Sequence, residues 1–462
     1  MVPVVDFWST QDSISLHDLK QALEGQDGSF KGVIVPDGDT DAIGQALGIT
    51  VDSSVQTGSP SDILDKIRSG WLGVVRGSDL GPQMRALAID GADLIGEDHV
   101  QKLSAWPFVV TADVPQNEAW DQASTWTIAA GGDIFMDRGV ENYTIKNFAH
   151  GVNYPFQGGT AVVTGHCVCS PSQAIPGQLV PTVRRTGHAG AVRSLVQNAD
   201  LAIANLENPV IDNPTWHTSG TIFSGVPKLL GMLNYAGIDW VSLANNHMYD
   251  YGPSGIDQTR GNLKQYNIPF GGAGSDLEEA SQISYLHANG RKIAIVACQE
   301  IVNAINAGPS NAGTLSCKAK VTVPLVEEAS QNADVVIVFA HWGHEFFREP
   351  FDSQAPLAQK WIDAGADIVM GSHPHVYGGL QEIDGKPVIY SMGNFIFDQY
   401  WSTDTMEGAL TEITMQGDRV VQIRLHPYVI LDQSQPNLLN PATDDGKQLL
   451  KEIRAVADPM GW

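Results

Sequence analysis

The stretch Val335-Val-Ile-Val-Phe-Ala-His341-Trp-Gly-His344-Glu345 sets the reading of this chain. Its apolar, β-branched opening is the strongest strand pattern present, and histidines and a carboxylate follow at once. The same arrangement recurs outward from it. Thr127–Ala130 leads to Gly132-Asp133, Leu201–Ala204 to Asn205-Leu206-Glu207, and Trp240–Ala244 to Asn245-Asn246-His247-Met248-Tyr249-Asp250. Ile368–Met370 leads to His373-Pro374-His375, and Ile293–Cys298 and Val388–Tyr390 are further strand candidates. Helical periodicity falls between them, over Ala191–Asn198, Pro227–Ala236, Gly255–Tyr266 and Ser353–Ala364, the last closed by Gly365. This alternation predicts an α/β layered domain with largely buried strands, whose active groups gather on loops at the strand ends.

The clusters carry carboxylates, an amide oxygen and imidazoles, the donor mixture of a divalent-metal hydrolase. Asp133 is expected immediately past its strand, where glycines let the backbone approach closely. Glu207 ends a buried run and needs a partner, either a metal or one of Arg138, Arg184 and Arg185. Asn246 offers a neutral oxygen ligand, His247 can face substrate as a general acid, and Asp250 can fix that imidazole's tautomer. A lone histidine such as His341 is more often structural. His373 and His375 are more specific: in an extended segment alternate residues point the same way, so both imidazoles approach one centre or a close pair. No G-x-S-x-G elbow and no Walker-type glycine loop is present, and Gly271-Gly-Ala-Gly lacks the strand–helix context of dinucleotide binding.

The bulk numbers bound the rest. A chain of 462 residues suggests two or three domains. No apolar run reaches the roughly 18 residues of a membrane span. The start, Met1-Val-Pro-Val-Val-Asp-Phe-Trp, lacks a basic region followed by an apolar stretch, so a signal peptide is either absent or already removed. The net charge of −25 serves solubility, repels nucleic acid and anionic lipid, and disfavours a polyanionic ligand unless bound metal reverses the sign locally. Cys298 and Cys317 flank a loop that a disulfide could close. Cys167 and Cys169 form only a C-x-C beside His166 and His188, too little for structural zinc, which leaves free thiols or disulfides.

Residues 1–124 carry none of the clusters and read as a smaller N-terminal α/β domain, with a helix from Ser61 to Gly70 and strands at Trp71–Val75 and Met84–Asp90. Within it, Trp71 to Val110 resembles one lobe of a phosphate- or sulfate-type solute-binding protein. Thr111 to Ser124 reads as a linker to a second domain over 125–462, whose tail is expected as a loop over Gln433–Asp445 and a short helix from Gly446.

Taken together, Gly-Asp-Ile-Phe-Met-Asp-Arg, Ala-Asn-Leu-Glu-Asn-Pro, Ala-Asn-Asn-His-Met-Tyr-Asp-Tyr-Gly, His-Trp-Gly-His-Glu-Phe, Gly-Ser-His-Pro-His-Val and Ser-Met-Gly-Asn-Phe-Ile-Phe-Asp resemble the bacterial capsule-synthesis CapA family. That family is associated with poly-γ-glutamate synthesis or export and looks like a branch of the calcineurin-like metallophosphoesterases. The resemblance covers about Thr127 to Asp432. It implies a four-layer sandwich, with two mixed β-sheets face to face and helices outside. It places Asp133, Glu207, Asn246, His341, His373 and His375 as metal ligands for one or two divalent ions. Manganese stands foremost, and iron, zinc or magnesium also suit the set. The pattern departs at Phe135, where a histidine ligand is expected.

The implied chemistry is attack by a metal-bound hydroxide, with His247 as acid, Asp250 behind it and Arg138 neutralising an anionic substrate or lying in a surface salt bridge. Asn394 and Asp398 would then support the site from behind or serve the fold. The implied partners are an anionic small molecule or a poly-γ-glutamate chain, and the envelope polymer-synthesis machinery. The implied location is extracytoplasmic or at the cell envelope, with the cytoplasm as the alternative. A non-catalytic polyglutamate-binding or export accessory is the competing role.

Overall fold

The computed structural model describes residues 1–26, 28–111, 119–168 and 178–462. Residues 112–118 of the expected linker, and Cys169, lie outside them. The chain divides into two compact units, Met1–Thr127 with Glu412–Arg424, and Ile128–Thr411 with Leu425–Trp462.

The first unit is built on a sheet in the order Gln56–Gly58, Val33–Pro36, Leu72–Val75, Val2–Asp6, Met84–Ala86. Val33–Pro36 runs parallel to both its neighbours, while Val2–Asp6 is antiparallel to Leu72–Val75 and Met84–Ala86. Ile63 and Ile67, one helical turn apart on Pro60–Arg68, are fully buried in its core. That helix starts at a capping box between Ser59 and Asp62 with Pro60 in its first turn. The single strand expected over Met84–Asp90 is two short ones, because Ala88–Ile89 leaves the main sheet to pair with Ser13–Ile14.

Two larger mixed sheets carry most of the remaining strands. One runs Val180–Gly187, Thr160–Cys167, Gln435–Leu439, Arg419–Leu431, Glu407–Gln416, Thr125–Ile134, Leu201–Leu206, Trp240–Ser242, Phe270–Gly271, with Asn394–Ile396 also on Thr125–Ile134. The other runs Ser284–Ala288, Arg291–Gln299, Val335–His341, Ile368–Ser372, Lys386–Ile389, Leu380–Ile383. Trp240 of the first sheet meets Phe339 of the second with ring centroids 5.8 Å apart.

Helices cover the outer faces. Val192, Val196, Leu233, Ile256 and Leu263 pack on the first sheet, and Val326, Ala329, Ala358 and Trp361 on the second. This is the expected four-layer arrangement, two mixed sheets with helices on their outer faces. Pro324 is tolerated inside the helix Ala319–Asn332, and Gly365, at φ 107°, ends the helix Gln354–Asp363.

Two expectations need correction, and one strand pair is new. Asp133 lies within its strand, not past it, because Thr125–Ile134 continues beyond Ala130 between parallel partners on both sides. The tail is not a plain loop: Gln435–Leu439 is a strand between Arg419–Leu431 and Thr160–Cys167, and the final helix begins at Asp444. The antiparallel pair Thr160–Cys167 and Val180–Gly187 was not anticipated, since its threonines, glycines and arginines mask the strand pattern. Cys298 and Cys317 are joined as a disulfide.

Candidate metal centre

The parallel register of the first sheet sets Asn205 beside Asp133, and Asn394 beside Asp133 on its other flank. Asn205 Nδ2 donates to Asp133 Oδ1 at 2.8 Å and to Glu207 Oε2 at 2.5 Å, so one amide ties the two carboxylates together. In the second sheet the register pairs His341 with Ser372. The Ser372 hydroxyl lies 2.9 Å from His341 Nδ1, which turns the opposite ring nitrogen inward.

The donors converge there. His341 Nε2 lies 2.8 Å from Asn246 Oδ1, 3.1 Å from His373 Nδ1 and 3.6 Å from Glu207 Oε1. Glu207 Oε1, fully buried, has no hydrogen-bond partner among the described residues. A carboxylate oxygen left so costs several kcal/mol unless a cation or proton meets it. Burial and the charge of Asp133 push the Glu207 carboxyl well above the usual range. Burial and neighbouring imidazoles push His341 and His373 well below theirs, into the neutral form that ligates metal. Asp133, Glu207 and His341 bring ligand atoms within 4.8 Å of one another, a set that fits a divalent ion.

His373 and His375 are not extended as expected. Their φ values of 99° and 61° place both in the left-handed region, so the chain turns sharply around Pro374. Their rings lie 6.0 Å apart nonetheless. His375 Nδ1 lies 2.9 Å from Asn394 Oδ1 and 3.3 Å from Asp133 Oδ2. Asn394 gives its amide hydrogens to Gln399 Oε1 and Thr405 O, both at 3.0 Å, so its oxygen must accept. Nδ1 of His375 is therefore the protonated nitrogen and Nε2 carries the free lone pair.

His247 stands at the wall of a cavity of about 670 Å³ together with Arg138, Phe223, Asn246, Glu345 and His375. Its Nδ1 lies 3.0 Å from Asp250 Oδ2, and the same carboxylate oxygen accepts from Phe223 N at 2.7 Å. That anchorage fixes the ring and leaves Nε2 for a ligand.

Arg138 borders the cavity, but it is only 7% exposed and its ion pair with Asp398 is buried, not a surface bridge. Asp398 takes Nη2 at 2.5 Å and Nε at 3.1 Å, while Gly220 O accepts from Nη1 at 3.0 Å. No arginine among the described residues meets Glu207: Arg185 pairs with Asp432 instead. Phe135 is fully buried, stacked on Phe397 at 4.5 Å and edge-on to Phe223 at 4.9 Å, so an apolar ring stands where a histidine ligand was expected. Asn205 and Glu345 stand in the sequence clusters and Ser372 beside one, but the sequence reading assigned none of the three a role of its own.

The six expected ligands, with Arg138, His247, Asp250 and Glu345, fall within one match. The family model for bacterial capsule synthesis protein PGA_cap covers residues 127–399. The chain belongs to this family. Among PGA_cap relatives, the PGA biosynthesis protein CapA of Bacillus subtilis (strain 168) is 31% identical over 270 residues, covering 57% of this chain and 70% of that protein. The capsule biosynthesis protein CapA of Bacillus anthracis is 31% identical over 274 residues, covering 56% and 66%. The solved NAD nucleotidase of Haemophilus influenzae aligns over 72% of this chain and 62% of its own at 12% identity with a TM-score of 0.38, too distant to carry an inference about substrate. No helix among the described residues is long and apolar enough to cross a membrane.

Proposed function

We propose that this PGA_cap chain is a metal-dependent hydrolase acting at the cell envelope on an anionic substrate, with a poly-γ-glutamate chain or a small phosphate or acyl compound as the candidates. The observation that carries the reading is the convergence of Asn246 Oδ1, His373 Nδ1 and Glu207 Oε1 on His341 Nε2, with the Glu207 oxygen unpartnered. Asp133, Glu207, Asn246, His341, His373 and His375 would hold one or two divalent ions, manganese first. When bound, such an ion supplies Lewis-acid polarisation of the scissile group and acidifies a water.

The chain's own residues do the rest. His247, its ring fixed by Asp250, delivers a proton to the leaving group from Nε2. Phe135, Phe223 and Phe397 form an apolar wall that limits water beside it. Arg138 lends its remaining N–H groups to an anionic substrate, its own charge being largely met by Asp398. The polyglutamate assignment draws on the name of the Bacillus subtilis relative, a PGA biosynthesis protein, and the envelope location on that of the Bacillus anthracis relative, a capsule biosynthesis protein.

The test is hydrolysis of p-nitrophenyl phosphate mono- and diesters, and of poly-γ-glutamate, with and without added manganese. Manganese-dependent turnover that His247→Ala abolishes supports the hydrolase. Metal binding without turnover on any of these supports the second reading, a metal-dependent polyglutamate-binding accessory. Phe135 favours that alternative, since its buried ring withholds a donor that a two-ion hydrolase would use.

A further inference from the structure

Glu345 lies outside the ligand set that the sequence pattern implies, yet its carboxylate stands beside two histidines of that set. Ligand atoms of Glu345, His373 and His375 lie within 4.8 Å of one another, and Glu345 is the exposed member of the three. Its carboxylate makes no hydrogen bond or ion pair with any described residue, while it faces the cavity that His247 and His375 line. No arginine or lysine among the described residues has to be displaced before this exposed carboxylate can join the two imidazoles on a cation.

The backbone holds it there. Phe346 N donates to Pro374 O at 2.8 Å, which ties the loop carrying Glu345 to the residue between the two histidines. Gly343 at φ 93° and Phe346 at φ 68° bracket the loop in left-handed conformations and fold it back over the site. The Phe346 ring then rests edge-on against Trp401 at 5.5 Å and 6.2 Å from His375. Phe397, stacked on Phe135, lies 4.9 Å from the His375 ring, so the neighbour there is apolar and offers no donor.

We propose that Glu345 is a metal ligand, which with His373 and His375 holds the second divalent ion and replaces the donor that Phe135 does not supply. The inference rests on the metal-centre reading above and specifies how a second ion is retained. One carboxylate oxygen and two imidazole nitrogens suit manganese, iron or zinc, and a ligand from the cavity mouth leaves this ion the more exchangeable of the two.

The experiment is a titration of metal-depleted full-length chain with Mn²⁺ alone, read by calorimetry and by electron paramagnetic resonance. Three proteins are compared: wild type, Glu345→Gln, and Glu349→Gln, a neighbouring exposed acid that controls for net charge. Near-UV circular dichroism checks that each is folded. Wild type and Glu349→Gln are expected to bind two ions and to show a spin-coupled pair signal. Glu345→Gln is expected to keep the first ion, to weaken the second by at least about tenfold, and to show the six-line signal of isolated Mn²⁺. Equal stoichiometry and affinity in wild type and Glu345→Gln would overturn the assignment while leaving the metal centre standing. A wild type that binds no Mn²⁺ would instead sink the metal-centre reading, and Glu345's role with it.

Discussion

Gly132→Ala should loosen the centre without touching a single proposed ligand. A Cβ at Gly132 would stand 1.8 Å from the Gly393 carbonyl oxygen, 2.8 Å from its carbon and 2.9 Å from the Met392 carbonyl carbon. Comfortable contact needs about 3.5 Å, and all three neighbours are backbone, so the two segments must part by more than an ångström. The hydrogen bond from Asp133 N to Gly393 O, now 2.9 Å, would stretch or break. With it goes the register of Asn394 against Asp133, which sets His375 Nδ1 3.3 Å from Asp133 Oδ2. Overpacking costs about 1–3 kcal/mol and a lost buried backbone bond about 1 kcal/mol more, so the variant should lose about 2–4 kcal/mol.

Urea denaturation gives that number, and a Mn²⁺ isotherm on the folded fraction gives the second readout, at least about tenfold weaker binding. Gly261→Ala is the control, because its Cβ meets nothing within 4 Å on the helix Gly252–Gln265. It should be neutral or stabilising by up to about 1 kcal/mol. A Gly132→Ala protein within about 1 kcal/mol of wild type and with unchanged Mn²⁺ affinity would refute the close-approach argument.

Other outcomes follow from the same structure. Asp250→Asn removes the carboxylate that fixes His247, and should lower turnover about 10- to 100-fold while metal content, measured by atomic emission, stays at the wild-type level. Replacing Cys298 and Cys317 together by Ala opens a bridge of sequence separation 19 and should cost about 2–4 kcal/mol by urea denaturation under non-reducing conditions. Arg260 and Ser275 hold the Glu279 carboxyl down at about 2. A depressed folded pKa stabilises above the unfolded value of about 4.3, and that gain is lost as pH falls toward 2. Glu279→Gln should therefore cost about 0.5–1 kcal/mol at pH 7, given the exposure of the pair, and almost nothing near pH 2.

Much of the fold was legible because buried parallel strands announce themselves. Val335–His341 and Leu201–Leu206 are continuous apolar runs, and a polar group at the end of such a run has few structural reasons to be there. What failed was local geometry. The i, i+2 spacing of His373 and His375 invited an extended reading, whereas φ 99° and 61° are set by the packing around Pro374. Gln435–Leu439 and Thr160–Cys167 carry proline, glycine and polar residues that mask their strands, because partners on the neighbouring strands fix them. Asn205 and Asn394 were in the quoted motifs, but their work, orienting carboxylates and imidazoles through directed hydrogen bonds, depends on registers across the sheet that no local spacing encodes. Glu345 stood in its cluster as a carboxylate without a role for the same reason: its link to His375 runs through a backbone bond to Pro374.

The central claim is that Asp133, Glu207, Asn246 and His341 close around a divalent ion. Metal content of the purified chain, by inductively coupled plasma mass spectrometry beside His341→Ala, tests it most directly. The account predicts one to two equivalents of a transition metal in wild type and a loss of at least one in the variant. Less than a tenth of an equivalent in wild type after growth and purification with manganese, iron and zinc supplied, or the same content in both proteins, would contradict it.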